Sequence, residues 1–201
     1  MSTRPRAAKP RQPAAVTRST IFDAARELFG ESGFDAVGIR AVAARAGVDA
    51  ALVIRHFGSK ERLFLESMTV DLPAVQVMEG PLDGMGRAIV EHVVCLPSTR
   101  TGALAVTALA ALFRASDRDE VRRNLRSTID EVFARPLVRR LTGGDAEVRA
   151  HLVAAQLGGL LTSMHVVQDP VLLAADPQAV VARYGDAIQR LISEGEGGTA
   201  A

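Results

Sequence analysis

Residues 17–64 read TRSTIFDAARELFGESGFDAVGIRAVAARAGVDAALVIRHFGSKERLF. Ile21, Ala25 and Leu28, with Phe22 and Phe29 beside them, recur at three- and four-residue intervals, the spacing that lines up side chains on one face of a helix. Gly30 and Gly33 predict the end of that helix, and Phe34 returns to the core. Ile39, Val42, Ala43 and Ala46 form the inner face of a short second helix that Gly47 closes. Asp49 is the predicted N-cap of a third helix, whose Val53 and Phe57 fall four apart and pack against the second. Ala46-Gly47-Val48 leaves room only for a tight turn, which a glycine permits by tolerating positive φ. Two short helices joined in this way have helix-turn-helix geometry.

With Val53 and Phe57 directed inward, the third helix presents Ala50, Ala51, Ile54, Arg55 and His56 outward. Small residues at its start suit a helix that must enter the major groove of DNA end-on, although they suit any close helix packing as well. Charge supports the first reading. Ten of the 24 Lys and Arg but only five of the 23 Asp and Glu lie in residues 1–60, so a cationic N-terminal part precedes an anionic remainder. Attraction to phosphate depends on this local charge and not on the net +1. Arg4, Arg6, Lys9 and Arg11 stand among prolines with no acid nearby, a composition expected of a disordered arm over residues 1–16. Such an arm is either plain solvated tail or a contact to DNA backbone or minor groove.

The stretch from Gly38 to Phe64 resembles the signature of the TetR family of transcriptional regulators. Its most specific parts are Ala43-Ala44-Arg45-Ala46-Gly47-Val48, then Arg55-His56-Phe57-Gly58-Ser59-Lys60 and the Leu63-Phe64 pair. The resemblance covers about residues 17 to 65. It implies DNA contacts from Arg40 on the second helix, from Ala50, Ala51, Ile54, Arg55 and His56 on the recognition helix, and from Lys60 at the start of the fourth. Gly38, Asp49 and Ile54 depart from the family pattern, which commonly has Thr, Ser and Tyr there. The first two changes remove hydroxyl contacts to phosphate, and Asp49 adds a charge that phosphate repels unless helix capping uses it. Arg55 becomes the main candidate for reading guanine.

Beyond the motif the chain shows no sustained period-two alternation, so the expected fold is all-α: an N-terminal three-helix DNA-binding domain (17–62), a helical ligand-binding and dimerisation domain (63–194), and a disordered tail (195–201). Ser59 caps a fourth helix that runs toward Asp71, before Pro73. A fifth reads LDGMGRAIVEHVVCL and stops near Pro97. Ser98 or Thr99 opens a sixth through Phe113, and Asp117 with Glu120 resembles a capping box for a seventh that runs to Thr142. An eighth extends from about Ala146 to Gln168. Asp176-Pro177, an N-cap followed by Pro at the first helical position, starts a ninth.

The resemblance also implies dimerisation through the eighth and ninth helices. Ala155, Gly158, Gly159 and Thr162 make one side of the eighth small enough for close approach, and Val181, Tyr184 and Ile188 continue the stripe on the ninth. Operator half-sites one turn apart, ~34–36 Å, require the matched pair of recognition helices that a two-fold dimer supplies. A cavity for a small apolar or aromatic effector is expected among helices four to eight, within reach of Met85, Ile89, His92, Val93, Leu104, Leu109, Phe113, Phe133 and His165. Each of these residues also makes sense as plain core. The expected partners are therefore operator DNA, an effector and a second copy of the chain.

Other functions have thinner support. His92 and Cys95 fall three apart, a spacing compatible with metal ligation or a Cys–His nucleophile pair, but no third member accompanies them, and an enzyme is not expected. No cofactor or metal is expected either. Cys95 would alternatively make a redox-responsive regulator, and it excludes an internal disulfide because it is the only cysteine. Gly84 and Gly86 give an incomplete GxGxxG with no strand before it. The absence of a long apolar run and of a signal-peptide pattern predicts a cytoplasmic protein without a membrane span.

Overall fold

A computed structural model describes residues 14–69, 77–96 and 99–194. The N-terminal arm up to residue 13, Asp71, Pro73, Pro97, Ser98 and the tail from residue 195 lie outside the described residues. Every regular element among the described residues is helical, as the sequence pattern predicts. The chain divides into two compact units at Ser67/Met68.

In the first unit, α1 spans Ala14–Ala36 and is interrupted at Gly33. It begins inside the stretch assigned to the arm. Helix α2 covers Ile39–Ala46, α3 Ala50–Phe57 and α4 Lys60–Ser67. The division falls after the whole of α4, where the sequence suggested residue 62. The physical reason is Leu63 and Phe64, both fully buried. Phe64 meets the rings of Phe29 and Phe34 edge-on, each at 5.1 Å, an arrangement that aromatic quadrupoles favour. These rings fasten α4 to α1, while Ile21, Val42, Val53 and Phe57 fill the remainder of this core.

In the second unit, α5 spans Met85–Cys95, α6 Arg100–Arg114 and α7 Asp119–Ile129. The expected capping box at Asp117 does not form: α7 is entered through Arg118 without a side-chain cap. Asp119 and Glu120 instead occupy the first turn, where negative charge suits the helix dipole. Asp130–Ala134 is a π-helical turn leading into a short helix, Arg135–Val138. Pro136 explains the break in what reads as one continuous helix, because it has no N–H to give and crowds the preceding turn.

Helix α8 covers Ala146–Leu161 and passes into a second π-helical turn, Thr162–Val166. There the Val167 N–H reaches the Thr162 carbonyl five residues back at 2.8 Å, while the Thr162 hydroxyl adds a bond to the Gly158 carbonyl at 2.7 Å. The eighth helix therefore ends earlier than expected. A short α9, Pro170–Ala174, is capped by Asp169, and α10, Pro177–Ser193, by Asp176. Asp169-Pro170 repeats the Asp176-Pro177 start signal, which the sequence reading recognised only once.

Met85, Ile89, Val93, Phe133, Leu157 and Ile188 belong to one buried apolar cluster. Helices α5 and α10 meet backbone to backbone at two glycines. A Cβ on Gly86 would stand 2.4 Å from the Gly185 carbonyl oxygen, and one on Gly185 2.7 Å from the Arg87 Cα. Gln189 bridges the crossing, accepting from the Gly86 N–H at 2.9 Å and donating to the Leu82 carbonyl at 3.0 Å. Arg87 pairs with Asp186 at 2.7 Å. Gly86, which in sequence suggested a broken phosphate loop, is thus a packing residue.

Arg149 is also structural. It is 2% exposed, bonds Asp145 at 2.9 Å and the Leu191 carbonyl at 3.0 Å, and reaches the Thr142 carbonyl. It thereby satisfies a carbonyl in the last turn of α10. Gly185→Ala should lower stability by about 1–3 kcal/mol, the usual range for forcing atoms into a filled contact, read as a fall in the urea midpoint; an unchanged midpoint would mean that the two helices separate freely.

Candidate nucleic-acid interface

The local chemistry of α2 and α3 fixes which side of α3 faces outward. Gly47 takes φ 67° and ψ 28°, the left-handed region that a side chain disfavours. Its N–H and that of Val48 close on the Ala44 and Ala43 carbonyls, at 3.2 and 3.0 Å, so the turn satisfies the end of α2. The Asp49 carboxylate then accepts from the Ala51 N–H at 2.8 Å and starts α3. Val53 and Phe57 are buried, which fixes the helix about its axis.

Ala51, Ile54 and Arg55 are exposed as a result, and Ala50 and His56 half-buried. Ile54 keeps 44% of its surface in solvent. Arg40 is exposed on α2. Among the described residues neither Arg40 nor Arg55 is paired with an acidic side chain. Three other arginines of this unit are paired, Arg45 with Glu27 and Arg18 and Arg62 with Glu66. Lys60, the first residue of α4, places its ammonium 4.1 Å from the centre of the Phe34 ring, a cation–π contact. The Ser59 hydroxyl caps that helix, accepting from the Arg62 N–H at 3.0 Å.

The residues singled out in the larger unit separate into two groups. Met85, Ile89, Val93 and Phe133 are buried together, and Leu109 packs against them. His165 Nε2 meets the Val93 carbonyl at 3.0 Å. His92 is half-buried, and its Nε2 has no hydrogen-bond partner. Phe113 is half-buried, and Leu104 lies on the exposed side of α6. Cys95 is exposed. No group of three or more His, Cys, Asp or Glu among the described residues is placed to hold a metal ion, and no single described helix is long and apolar enough to cross a membrane.

Of the stripe on α8 and α10, Val181 and Ile188 are buried within the chain, and the Tyr184 hydroxyl donates to the Gln156 carbonyl at 3.0 Å. Ala155 and Gly159 are exposed, and Gly158 and Thr162 half-buried. A Cβ on either Gly158 or Gly159 would meet open space. The sequence reading missed Val148 and Leu152, exposed at 61% and 46%. Their spacing with Ala155 and Gly159 runs along one helix face, and that periodicity was the available signal.

Short helices joined through Gly47, with the exposed side of the second bearing Ile54 and Arg55, define a helix-turn-helix protein. Residues 21–67 match the model of the bacterial regulatory proteins of the tetR family, and residues 83–192 match that of the tetracyclin repressor-like C-terminal domain. The chain belongs to the TetR family of transcriptional regulators.

It is 36% identical over 97 residues to the HTH-type transcriptional repressor Rv3405c of Mycobacterium tuberculosis, covering 46% of this chain and 52% of that protein. The chain thus spans about half the length of such curated mycobacterial relatives. The HTH-type transcriptional regulator BetI of Rhizobium meliloti is 29% identical over 80% of this chain and 83% of its own length. The crystal structure of the TetR-family regulator SCO0857 from Streptomyces coelicolor A3 superposes with a TM-score of 0.60 at 31% identity, covering 92% of this chain and 99% of that one.

Asp49 caps α3, and its charge would repel phosphate if α3 lies against DNA; two substitutions separate these effects. Asp49→Asn retains the acceptor and should raise affinity for any duplex by about fivefold per subunit, the effect of removing a like charge ~4 Å away in water, and so on the order of 25-fold for a dimer. Asp49→Ala should cost about 1 kcal/mol of stability through loss of the cap. Anisotropy titration and urea unfolding of both variants provide the check.

Proposed function

We propose that the protein is a cytosolic, homodimeric repressor that binds a palindromic operator through α3 and leaves it when a small molecule occupies the larger unit. The observation that carries this reading is the exposed side of α3, where Arg55 has no acidic partner among the described residues. An arginine on a short exposed helix suits the two acceptors of guanine in the major groove. Arg40, His56 and Lys60 would hold phosphates, and Ala50 and Ala51 let the helix approach. Family membership and a relative named as a repressor support the same reading.

Dimerisation is supported by α8. Its buried side carries Val153, Leu157 and Leu160, yet its outer side remains apolar at Val148, Leu152, Ala155 and Gly159. A helix apolar on both sides calls for a second cover. With Val181 and Ile188 committed to the chain's own core, the partner contact centres on the outer side of α8.

The effector would sit against Met85, Ile89, Val93 and Phe133, with His92 nearby. A mainly apolar molecule with one hydrogen-bonding group would suit both the cluster and the buried His92 Nε2, which has no hydrogen-bond partner among the described residues. Its binding would favour a state in which the two recognition helices no longer match successive grooves, and it shifts the equilibrium only through unequal affinity for the two states.

Titration of a labelled duplex from the region upstream of the protein's own gene, at fixed salt, tests the central reading. Specific binding at least about a thousandfold tighter than to random duplex is expected; equal affinities would reject it. Arg55→Ala should remove about 1–3 kcal/mol of base discrimination at one position per half-site. Leu152→Glu should turn the dimer into monomers in sedimentation and weaken operator binding, whereas an unchanged dimer would place the interface elsewhere.

A further inference from the structure

On the reading that α3 enters the major groove, we infer that Ile54 recognises the C5-methyl group of a thymine in each operator half-site. Ile54 is a large apolar side chain left 44% exposed on a short helix, although neighbouring Val53 and Phe57 supply the packing the fold requires. The preceding turn on its side offers only Ala50 and Ala51, whose methyl groups cannot hydrogen-bond. Next along the helix comes Arg55, exposed and without an acidic partner among the described residues, and Lys60 stands at the start of α4. An apolar group beside an arginine with no acidic partner suits a polyanionic surface with a local apolar feature, not the apolar face of another protein.

In the major groove of DNA that feature is specific. The edges of guanine, cytosine and adenine present donors and acceptors, and only thymine adds a methyl group. Burying Ile54 against a donor or acceptor would leave that polar group unpaired, which penalises the other bases as well as favouring thymine. Ile54 and Arg55 therefore divide the work on one helical turn: the arginine fixes a guanine by hydrogen bonding and the isoleucine a thymine by shape and desolvation.

The test uses the duplex that the full-length protein selects from a randomised pool, with each thymine replaced in turn by deoxyuridine. This exchange removes the methyl group and leaves every hydrogen-bonding atom in place. At one position per half-site the wild-type protein should lose about fourfold in affinity, and on the order of fifteenfold when both half-sites are exchanged, as expected for one methyl-sized group each. Ile54→Ala, on an exposed position with good helix propensity, should fold normally, bind the selected duplex more weakly and be indifferent to the same exchange.

Wild-type binding unaffected by deoxyuridine at every position would overturn the inference while leaving DNA recognition by α3 intact. An equal loss in wild type and Ile54→Ala would also overturn it, assigning the methyl group to another residue. Failure to enrich any duplex would remove the DNA-binding reading itself, and the inference with it.

Discussion

The anchoring of α3 by Val53 and Phe57 is the constraint from which the remaining assignments follow. A short helix held on one side by two buried side chains has no freedom to turn about its axis, and the Gly47 turn fixes where it starts. The Phe29, Phe34 and Phe64 rings then join α1 to α4, so that α3 rests on a rigid base. Precision of this kind would matter for reading DNA, because the bidentate contact proposed for Arg55 would tolerate little misplacement. The outward side thus owes its identity to the inward side: had the buried pair fallen two residues later along the helix, Arg55 would face the core.

Much of the small unit was legible in the sequence because its signals are local. The Gly47 cap, the Asp49 and Ser59 caps and the burial of Val53 and Phe57 each depend on a few neighbouring residues, and all appear in the structure as expected. The larger unit was less legible. The predicted continuous helices contain π-helical turns, one just before Pro136 and one starting at Thr162, which periodicity does not record. Gly86 and Gly185 are a hundred residues apart along the chain yet share one crossing, and only the fold brings them together. Of the residues on the candidate stripe, Gly158 and Gly159 stand over open space, whereas Val181 and Ile188, on the same apolar pattern, pack inward. Periodicity reports that a side chain is apolar, not which neighbour covers it.

Glycine serves two purposes in the larger unit. At Gly86 and Gly185 it brings two helices of one chain into backbone contact, while at Gly158 and Gly159 it leaves a shallow, uncovered strip beside Val148 and Leu152. The first use stabilises the unit by itself, and the second makes sense once another apolar surface covers it. His92 has a similar incompleteness on a smaller scale, with a buried ring nitrogen awaiting a partner.

Site-directed photocrosslinking tests the central claim, that the outward side of α3 lies against DNA, most directly. A photoreactive amino acid at Ala51 of the full-length protein, bound to a duplex that it selects, should crosslink to bases within one half-site, while the same probe at exposed Glu147 should not react with DNA. Crosslinking from Glu147 with none from Ala51, under conditions where the duplex is bound, would contradict the account.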